Sequence, residues 1–306
     1  MKKFPASKGD SDECHKNTRF MGEGCERQTS KDSGTMWLWL LGLMLPAAIG
    51  ISILLPRYTT KKVRYYACFT CYILNLTILS FAMMPYFFLR PKNLRNMKVY
   101  SKYGQIIAEF MGFNWLVRNK NILKKHKTAM ILSNHQSSLD ILGTMHVIAL
   151  EETGLVVNVA KKELFHTPLG QALRMCGSIF IDRSNAESAM TTLQKSSRTL
   201  RQSKAKLWVF PEGTRNTSGG LLPFKRGAFI CAIEAQVPII PVVFSPYYFM
   251  DRSKKIFDTG TCIISVLEDI PTEGLQMRDL NNLMDRVYNL MSAEYEKLKE
   301  EVEREV

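Results

Sequence analysis

The feature that most limits how this chain folds is a run of twenty residues, 36–55, without a single charged side chain. Twenty helical residues at ~1.5 Å per residue cover the roughly 30 Å hydrocarbon core of a bilayer. The run begins too far from the N-terminus for an ordinary cleaved signal peptide, and no small-residue cleavage pattern follows it. We therefore expect it to remain in the protein as a membrane segment.

A second apolar run, at 65–89, follows a short basic loop. The sequence therefore predicts two membrane helices within 36–92. Basic residues lie on both sides of the second run, so the positive-inside rule does not choose an orientation. Two spanning helices and a hairpin that re-enters one leaflet both fit this pattern. Residues 1–35 contain few branched apolar side chains and are expected to form a disordered tail.

From residue 93 onward the pattern changes to short apolar or β-branched runs separated by amphipathic stretches. This alternation predicts an α/β domain over 93–306, with a mixed, largely parallel sheet covered by helices. The predicted strands are 128–133, 155–160, 178–182, 206–210, 238–244 and 261–267. The predicted helices are 138–150, 168–175, 185–203, 225–235 and a charged C-terminal helix from about residue 278.

The chain carries a strong positive charge, since 41 lysines and arginines outnumber 28 acidic residues and leave a net charge of +13. Such a chain attracts polyanions. We find no zinc-finger spacing and no aromatic RNA-binding consensus, so we do not expect the tight, salt-dependent binding of a nucleic-acid-binding protein. Phosphorylated small molecules and anionic lipid surfaces are the better expectation.

His135 and Asp140 closely follow the predicted strand 128–133. The carboxyl end of a strand is where open α/β sheets place their ligand sites. Residues five apart lie about 140° apart around a helix, so this pair cannot share a helical face but could meet across the turn before the helix. The carboxylate would then orient the imidazole as a general base. A capping box formed by Ser137 and Asp140 fits the same residues.

Other catalytic arrangements have less support in the sequence. We find no Gly-x-Ser-x-Gly element and no cysteine with a nearby partner histidine. His135, His146 and His166 lack the spacing of metal ligands, so no metal site is predicted. Direct activation of a substrate hydroxyl by His135 is the chemistry that remains.

The residues Glu212, Gly213, Thr214 and Arg215 come directly after the predicted strand 206–210. A glycine turn at a strand end can present backbone amides and a guanidinium to a phosphate. An ordinary turn with a surface arginine fits the same four residues, so both interpretations stay open.

Two more cations lie at the ends of predicted elements. Lys225 opens the helix predicted at 225–235, where the helix dipole adds to its charge. Arg183 follows the predicted strand 178–182, and an ordinary solvated strand end explains it equally well. Each is a candidate phosphate ligand, and its role depends on which other groups lie near it.

Four motifs in this order resemble those of one enzyme family. Residues 134–140 match an Asn-His-x4-Asp motif, 177–183 a Gly-x-x-Phe-x-x-Arg motif, 212–215 a Glu-Gly-Thr-Arg motif, and 237–241 a strand bracketed by prolines. From roughly Arg57 to the C-terminus the chain resembles the lysophosphatidate acyltransferase (1-acyl-sn-glycerol-3-phosphate acyltransferase) family in its eukaryotic form.

The resemblance implies the glycerolipid acyltransferase fold and an enzyme that moves a fatty acyl group from acyl-CoA to the sn-2 hydroxyl of lysophosphatidic acid, giving phosphatidic acid. It implies His135 as general base and Asp140 as its partner, with no acyl-enzyme, no metal and no cofactor beyond acyl-CoA as co-substrate. The substrate-binding residues it implies are Arg183, Glu212, Gly213, Thr214, Arg215 and Lys225.

The resemblance also implies a membrane protein, expected in the endoplasmic reticulum with its catalytic domain facing the cytosol. Two alternatives stay open. The acceptor could be another lysophospholipid or glycerol-3-phosphate, because the motifs indicate a phosphate-bearing hydroxyl more than a headgroup. A catalytically silent membrane protein that binds lipid is the second alternative.

Overall fold

The computed structural model describes residues 60–182, 184–185, 187–189, 191–195 and 204–304. The predicted tail at 1–35 and the first predicted membrane helix at 36–55 lie outside these residues. The end of the helix predicted at 185–203 also lies outside them.

The main helices are α1 (Lys61–Phe88), α2 (Leu94–Phe110), α3 (Asp140–Ala149), α4 (Pro168–Met175), α5 (Gly227–Ala235) and α6 (Leu280–Arg304). Residues 187–189 and 191–195 are also helical. Short 3₁₀ turns lie at Lys120–Lys124, Glu151–Thr153, Lys162–His166 and Met277–Asp279. The helices predicted at 138–150, 168–175, 225–235 and the C-terminus are confirmed to within a few residues.

The strands are β1 (Phe113–Arg118), β2 (Met130–Ser133), β3 (Val156–Lys161), β4 (Ile179–Ile181), β5 (Lys206–Val209), β6 (Ile239–Phe244), β7 (Met250–Asp251), β8 (Ile256–Phe257) and β9 (Gly260–Val266). All six predicted strands are confirmed. The central ones are buried along their whole length, which is why they read as continuous apolar runs.

Seven of these strands form one sheet in the order β1–β9–β6–β2–β5–β3–β4, and β7 and β8 form a separate hairpin. Neighbours in the seven-stranded sheet are parallel except for β6 and β9, which pair antiparallel. The predicted mixed, largely parallel sheet is therefore confirmed. Because β2, β5 and β6 are parallel neighbours, the loops that follow them leave the same edge of the sheet.

Helices cover the sheet on both sides. The side chains of Met130 and Leu132 belong to the hydrophobic cluster that includes the buried faces of α5 and α6. Strand side chains alternate, so Ile131 points to the opposite face, where α2 and α3 pack against each other and on β1.

Two elements of the sheet domain were not predicted, β1 and α2. β1 lies at the edge of the sheet, its residues alternate between inward and half-exposed positions, and it contains the polar Asn114 and Arg118. It therefore lacks the continuous apolar run that marks a central strand. α2 lies directly after the second apolar run, where lysine, arginine and serine residues mask the apolar positions of its buried face.

α1 corresponds to the second predicted membrane helix and is long and apolar enough to cross a bilayer, by length and composition. Among the helices in the described part of the chain, α1 alone meets this criterion. The predicted pair of membrane helices is therefore not confirmed, since the first of them lies outside the described residues. One face of α1 packs on α2, α4 and β8. The residues it buries are Tyr65, Tyr72, Leu76, Leu79, Ser80, Met83 and Phe87.

Candidate active site

Three loops meet at the carboxyl edge of the sheet. The loop after β2 carries His135, the loop after β5 carries residues 210–216, and the loop after β6 carries Tyr247. β2 pairs in register with both neighbours, with Met130 opposite Leu207 on one side and Ile239 on the other. Side chains separated by about a hundred residues in sequence are therefore brought together here.

His135 and Asp140 contact each other across the turn that opens α3. The Nδ1 atom of His135 lies 2.6 Å from Asp140 Oδ2. Both side chains are buried, with 8% of the imidazole and none of the carboxylate exposed. A buried carboxylate on Nδ1 holds the proton there and leaves Nε2 as the basic nitrogen of the neutral ring.

Asp140, the first residue of α3, also stabilises the same turn by binding its backbone. Its Oδ2 atom accepts the backbone N–H groups of Gln136, at 2.7 Å, and Ser137, at 3.0 Å. The reciprocal bond of a capping box, from Asp140 N to Ser137 Oγ, is not made among the described residues. Asp140 N donates to the Ser137 carbonyl instead, and Ser137 Oγ accepts from Leu139 N. The capping box is therefore wrong, whereas the His135–Asp140 contact is present and the same carboxylate oxygen also binds the backbone of the turn.

The imidazole of His135 is held on its flat face by Phe210, whose ring centroid lies 4.1 Å away at an interplanar angle of 23°. Its Nε2 atom makes no hydrogen bond to any residue that the structure describes. The ring is therefore fixed in orientation while one nitrogen stays available.

The Glu212 loop holds the backbone of His135 from both sides. Glu212 Oε1 accepts the N–H of His135 at 2.7 Å, and the N–H of Asn216 donates to the His135 carbonyl at 2.7 Å. The second oxygen, Oε2, accepts the N–H of Leu222. Burial raises the pKa of Glu212 to about 7, against the opposing effect of these two N–H donors. The Glu212 carboxylate thus points into the protein and braces the turn.

Gly213, Thr214 and Arg215 form the outer part of this turn. Gly213 has a φ of +72°, a backbone conformation that favours glycine, and the flexible end of the Lys225 side chain packs beside it. Thr214, Arg215 and Lys225 are exposed. Neither Arg215 nor Lys225 forms an ion pair with any acidic residue in the described ranges. Arg215 on the turn and Lys225 beside it are therefore exposed cations with no carboxylate partner in the described part of the chain.

Arg183, the remaining candidate for phosphate binding, lies outside the described residues. Its neighbour Asp182 accepts hydrogen bonds from Ser184 and lies 3.6 Å from Lys162 Nζ. The position of the Arg183 guanidinium relative to the site stays a prediction.

The contacts that three residues make at the site were not predicted from the sequence. Asn134 exchanges two hydrogen bonds with the backbone of Phe244 and ties the end of β2 to the end of β6. Tyr247 donates its hydroxyl to Asp140 Oδ1 at 2.8 Å, and Tyr72 of α1 donates to the Ser138 carbonyl at 2.8 Å. The proximity of Asn134 to His135 was visible in the sequence, whereas no spacing marks either tyrosine.

A largely apolar cavity of about 510 Å³ lies beside the site. Phe210 belongs both to this cavity and to the stack on His135. Gly213 and Lys225 contribute its polar side. Its apolar lining includes Val159, Ile181, Leu193, Val209, Phe224 and Ile230.

The fold resembles a solved structure described as the 1-acyl-sn-glycerophosphate (LPA) acyltransferase, PlsC, from Thermotoga maritima. The TM-score is 0.55 and the match covers 86% of this chain and 94% of that one, at 18% sequence identity. At that identity the likeness establishes a shared fold. A family model described as Acyltransferase matches residues 114–245, a range that contains His135, Asp140 and the Glu212 loop. The fold and the site together define an acyltransferase domain.

The sequence comparisons narrow this class. The chain is 37% identical over 260 residues to human 1-acyl-sn-glycerol-3-phosphate acyltransferase alpha, covering 83% of this chain and 89% of that protein. It is 38% identical over 206 residues to the human beta form, covering 67% and 73%. This chain belongs to the 1-acyl-sn-glycerol-3-phosphate acyltransferase family.

Proposed function

We propose that the protein transfers a fatty acyl group from acyl-CoA to the sn-2 hydroxyl of lysophosphatidic acid and forms phosphatidic acid. The observation that carries the proposal is the buried His135–Asp140 pair, with Nδ1 bound to the carboxylate and Nε2 unbonded among the described residues. The names of the relatives support the acceptor, since they specify a 1-acyl-sn-glycerol-3-phosphate.

In the proposed reaction His135 Nε2 takes the proton of the acceptor hydroxyl as its oxygen attacks the thioester carbonyl. Asp140 stabilises the imidazolium that forms, in the manner of other His–Asp pairs. The carbon–sulfur bond then breaks, the thiol leaves with the proton, and the new ester stays on the acceptor. No step needs a covalent acyl-enzyme, a metal or a further cofactor.

The exposed cations of the Glu212 turn suit the acceptor phosphate. Arg215 and Lys225 are free of carboxylate partners within the described ranges, and the Lys225 side chain lies beside Gly213, two residues before Arg215. A guanidinium binds phosphate oxygens through several N–H donors, and the lysine adds a mobile charge. Glu212 acts indirectly in this arrangement by holding the turn against His135.

The apolar cavity suits a hydrocarbon chain of one of the two substrates. Most of its lining is aliphatic or aromatic, and Phe210 connects it to the imidazole.

The membrane contact is a separate part of the proposal. Because lysophosphatidic acid and its product reside in a bilayer, we assign the outward apolar face of α1 to contact with lipid. We place the protein in the endoplasmic reticulum membrane with the site on the cytosolic side, where acyl-CoA is soluble.

The first experiment measures transfer from radiolabelled acyl-CoA by the purified protein to a panel of acceptors: lysophosphatidic acid, a choline lysophospholipid and glycerol-3-phosphate. We expect lysophosphatidic acid to give the highest kcat/KM.

We expect His135→Ala to lower kcat by about 10² to 10⁴, the contribution of a general base. His126→Ala, which removes an imidazole paired with Asp269, is the matched control and should retain activity. Transfer by His135→Ala above a tenth of the wild-type rate would contradict the mechanism.

The phosphate assignment has its own test. Arg215→Ala should raise the KM for lysophosphatidic acid about ten-fold or more with a smaller effect on the KM for acyl-CoA, because an uncompensated phosphate contact is lost. Arg278→Ala, which removes another exposed arginine, serves as the control. An unchanged acceptor KM in Arg215→Ala would exclude the proposed role.

A further inference from the structure

Tyr247 is a buried tyrosine whose hydroxyl donates to Asp140 Oδ1 at 2.8 Å, from a loop 107 residues further along the chain. Only 7% of the residue is exposed. It lies three residues after the end of β6 and outside the four sequence motifs. The hydroxyl contacts the dyad at the carboxylate oxygen that does not bind His135.

The two oxygens of Asp140 divide their donors unequally. Oδ2 receives His135 Nδ1 and the backbone N–H groups of Gln136 and Ser137. Oδ1 receives the Tyr247 hydroxyl, and no other donor to it is present in the part of the chain that the structure describes. Asp140 is fully buried, so without Tyr247 one oxygen of a charged group would have no protein donor.

Tyr247 is itself held rigidly. Its ring packs edge-on against Trp115 of β1 and at a tilt against Phe249, with centroids 6.3 Å and 5.6 Å away. Asn134 anchors the start of the same loop by bonding both backbone groups of Phe244. The hydroxyl is thus delivered to Asp140 from a fixed position.

We propose that Tyr247 is a positioning residue of the reaction, which fixes the rotamer of Asp140 and moderates the negative charge that Asp140 presents to His135. This rests on the proposed function of the dyad. Burial and the neighbouring Asp140 charge raise the pKa of Tyr247 well above its usual value, so the hydroxyl stays protonated as a donor throughout the working pH range.

The direction of the electrostatic effect follows from the geometry. A hydroxyl that donates to Oδ1 draws charge away from Oδ2, so removing it leaves a more basic carboxylate against Nδ1. That carboxylate stabilises the imidazolium more strongly, and the acidic limb of the kcat/KM profile moves to higher pH. Among the described residues, the titratable groups besides His135 and Tyr247 that interact with Asp140 or its surroundings are Glu212, Tyr72, Cys262 and the Arg215 guanidinium, and the substitution changes none of them.

The test compares Tyr247→Phe with Tyr248→Phe in the full chain, using acyl-CoA and lysophosphatidic acid. Tyr248 is the matched control, because it is a partly exposed neighbour whose hydroxyl accepts from Thr261 N and does not contact the dyad. We expect Tyr247→Phe to lower kcat about ten- to a hundred-fold, the effect of losing a donor to a charged group, with the KM for lysophosphatidic acid unchanged. Its acidic limb should move to higher pH. Tyr248→Phe should match the wild type in all three readouts.

Replacement of Tyr247 by 3-fluorotyrosine keeps the ring and the hydroxyl and makes the hydroxyl a stronger donor. It should retain most of kcat and move the acidic limb to lower pH, opposite to Tyr247→Phe. This variant keeps the proposal testable if Tyr247→Phe does not fold.

The outcomes separate the two hypotheses. If His135→Ala is inactive but the Tyr247 variants leave kcat and the acidic limb unchanged, the role of Tyr247 is wrong and the dyad stands. A fall in kcat without movement of the limb in either variant would reduce Tyr247 to a packing residue and also overturn the proposal. Retained transfer in His135→Ala would instead overturn the proposed function itself.

Discussion

Glu212 contributes to the site by binding the backbone of neighbouring loops, whereas no substrate contact is assigned to it. Its two oxygens accept N–H groups from His135 and Leu222, and one of these bonds joins residues 77 positions apart. A buried carboxylate costs free energy when ionised, and the raised pKa of about 7 expresses this cost. The Glu-Gly-Thr-Arg turn therefore has an inward residue that orders it and an exposed residue, Arg215, that has no carboxylate partner among the described residues.

The pKa of Glu212 predicts how stability depends on pH. The folded protein holds this proton up to about pH 7, whereas an unfolded chain releases it near the ordinary value of 4.5. Between these values the folded state binds more protons, so the contribution is fully present below pH 4.5 and is lost as pH rises through 7. The loss amounts to roughly 3 kcal/mol.

Glu212→Gln, which cannot titrate, should remove this slope, and urea unfolding at pH 5 and pH 8 measures it. Between these two pH values the stability difference between wild type and variant should change by about 2.5 kcal/mol, because part of the loss has already occurred at pH 5, on top of a constant cost for the altered hydrogen bonds. Glu273→Gln, at an exposed carboxyl, is the control and should change nothing. Parallel curves for wild type and Glu212→Gln would show that Glu212 does not titrate in this range.

At the scale of elements, α1 has two apolar faces with different environments. The inward face packs on the α/β domain and reaches the His135 turn through the bond from Tyr72 to Ser138. The outward face exposes large apolar side chains, and only 28% of the most apolar 18-residue stretch of the helix is buried. Exposed members of this face are Tyr66, Ile73, Leu74, Phe81 and Phe88. A contiguous exposed apolar face of this kind marks a contact with lipid or protein.

We expect Ile73→Glu combined with Phe81→Glu to weaken binding to lipid vesicles without unfolding the domain. These side chains are 59% and 62% exposed, so two charges there oppose burial in lipid and disturb little of the protein core. Co-sedimentation with vesicles that contain phosphatidic acid measures the effect. Met277→Glu, at an exposed apolar residue before α6, is the control. Unchanged sedimentation of the double variant would show that vesicle binding does not depend on the outward face of α1.

A helix or strand could be predicted where its burial produced a recognisable apolar pattern in the local sequence. β2, β5 and β6 are buried at every position and form apolar runs that were identified within a few residues. β1 is an edge strand with half-exposed alternate positions, and no comparable run marks it. Local patterns therefore recover the centre of the sheet better than its edges.

At the scale of the whole molecule, strand order assembles the site. β2 lies between β5 and β6, so the loops that carry His135, Glu212 and Tyr247 converge at one edge. Long-range contacts also tie the C-terminal helix to the edge strand, through the bidentate pairing of Arg118 with Glu301. The site is thus a property of the complete sheet and not of one motif.

The sequence by itself determined the α/β class, the positions of the central strands, and the placement of His135, Asp140 and the Glu212 turn at strand ends. These features depend on local burial and turn chemistry, which each segment encodes in its own residues. Tertiary structure alone decided that Asp140 both binds the backbone of its turn and pairs with His135, that Glu212 faces inward, and that Tyr247 completes the donors to Asp140. Those contacts join residues up to 107 positions apart, and they depend on which strands lie side by side, which no local pattern specifies.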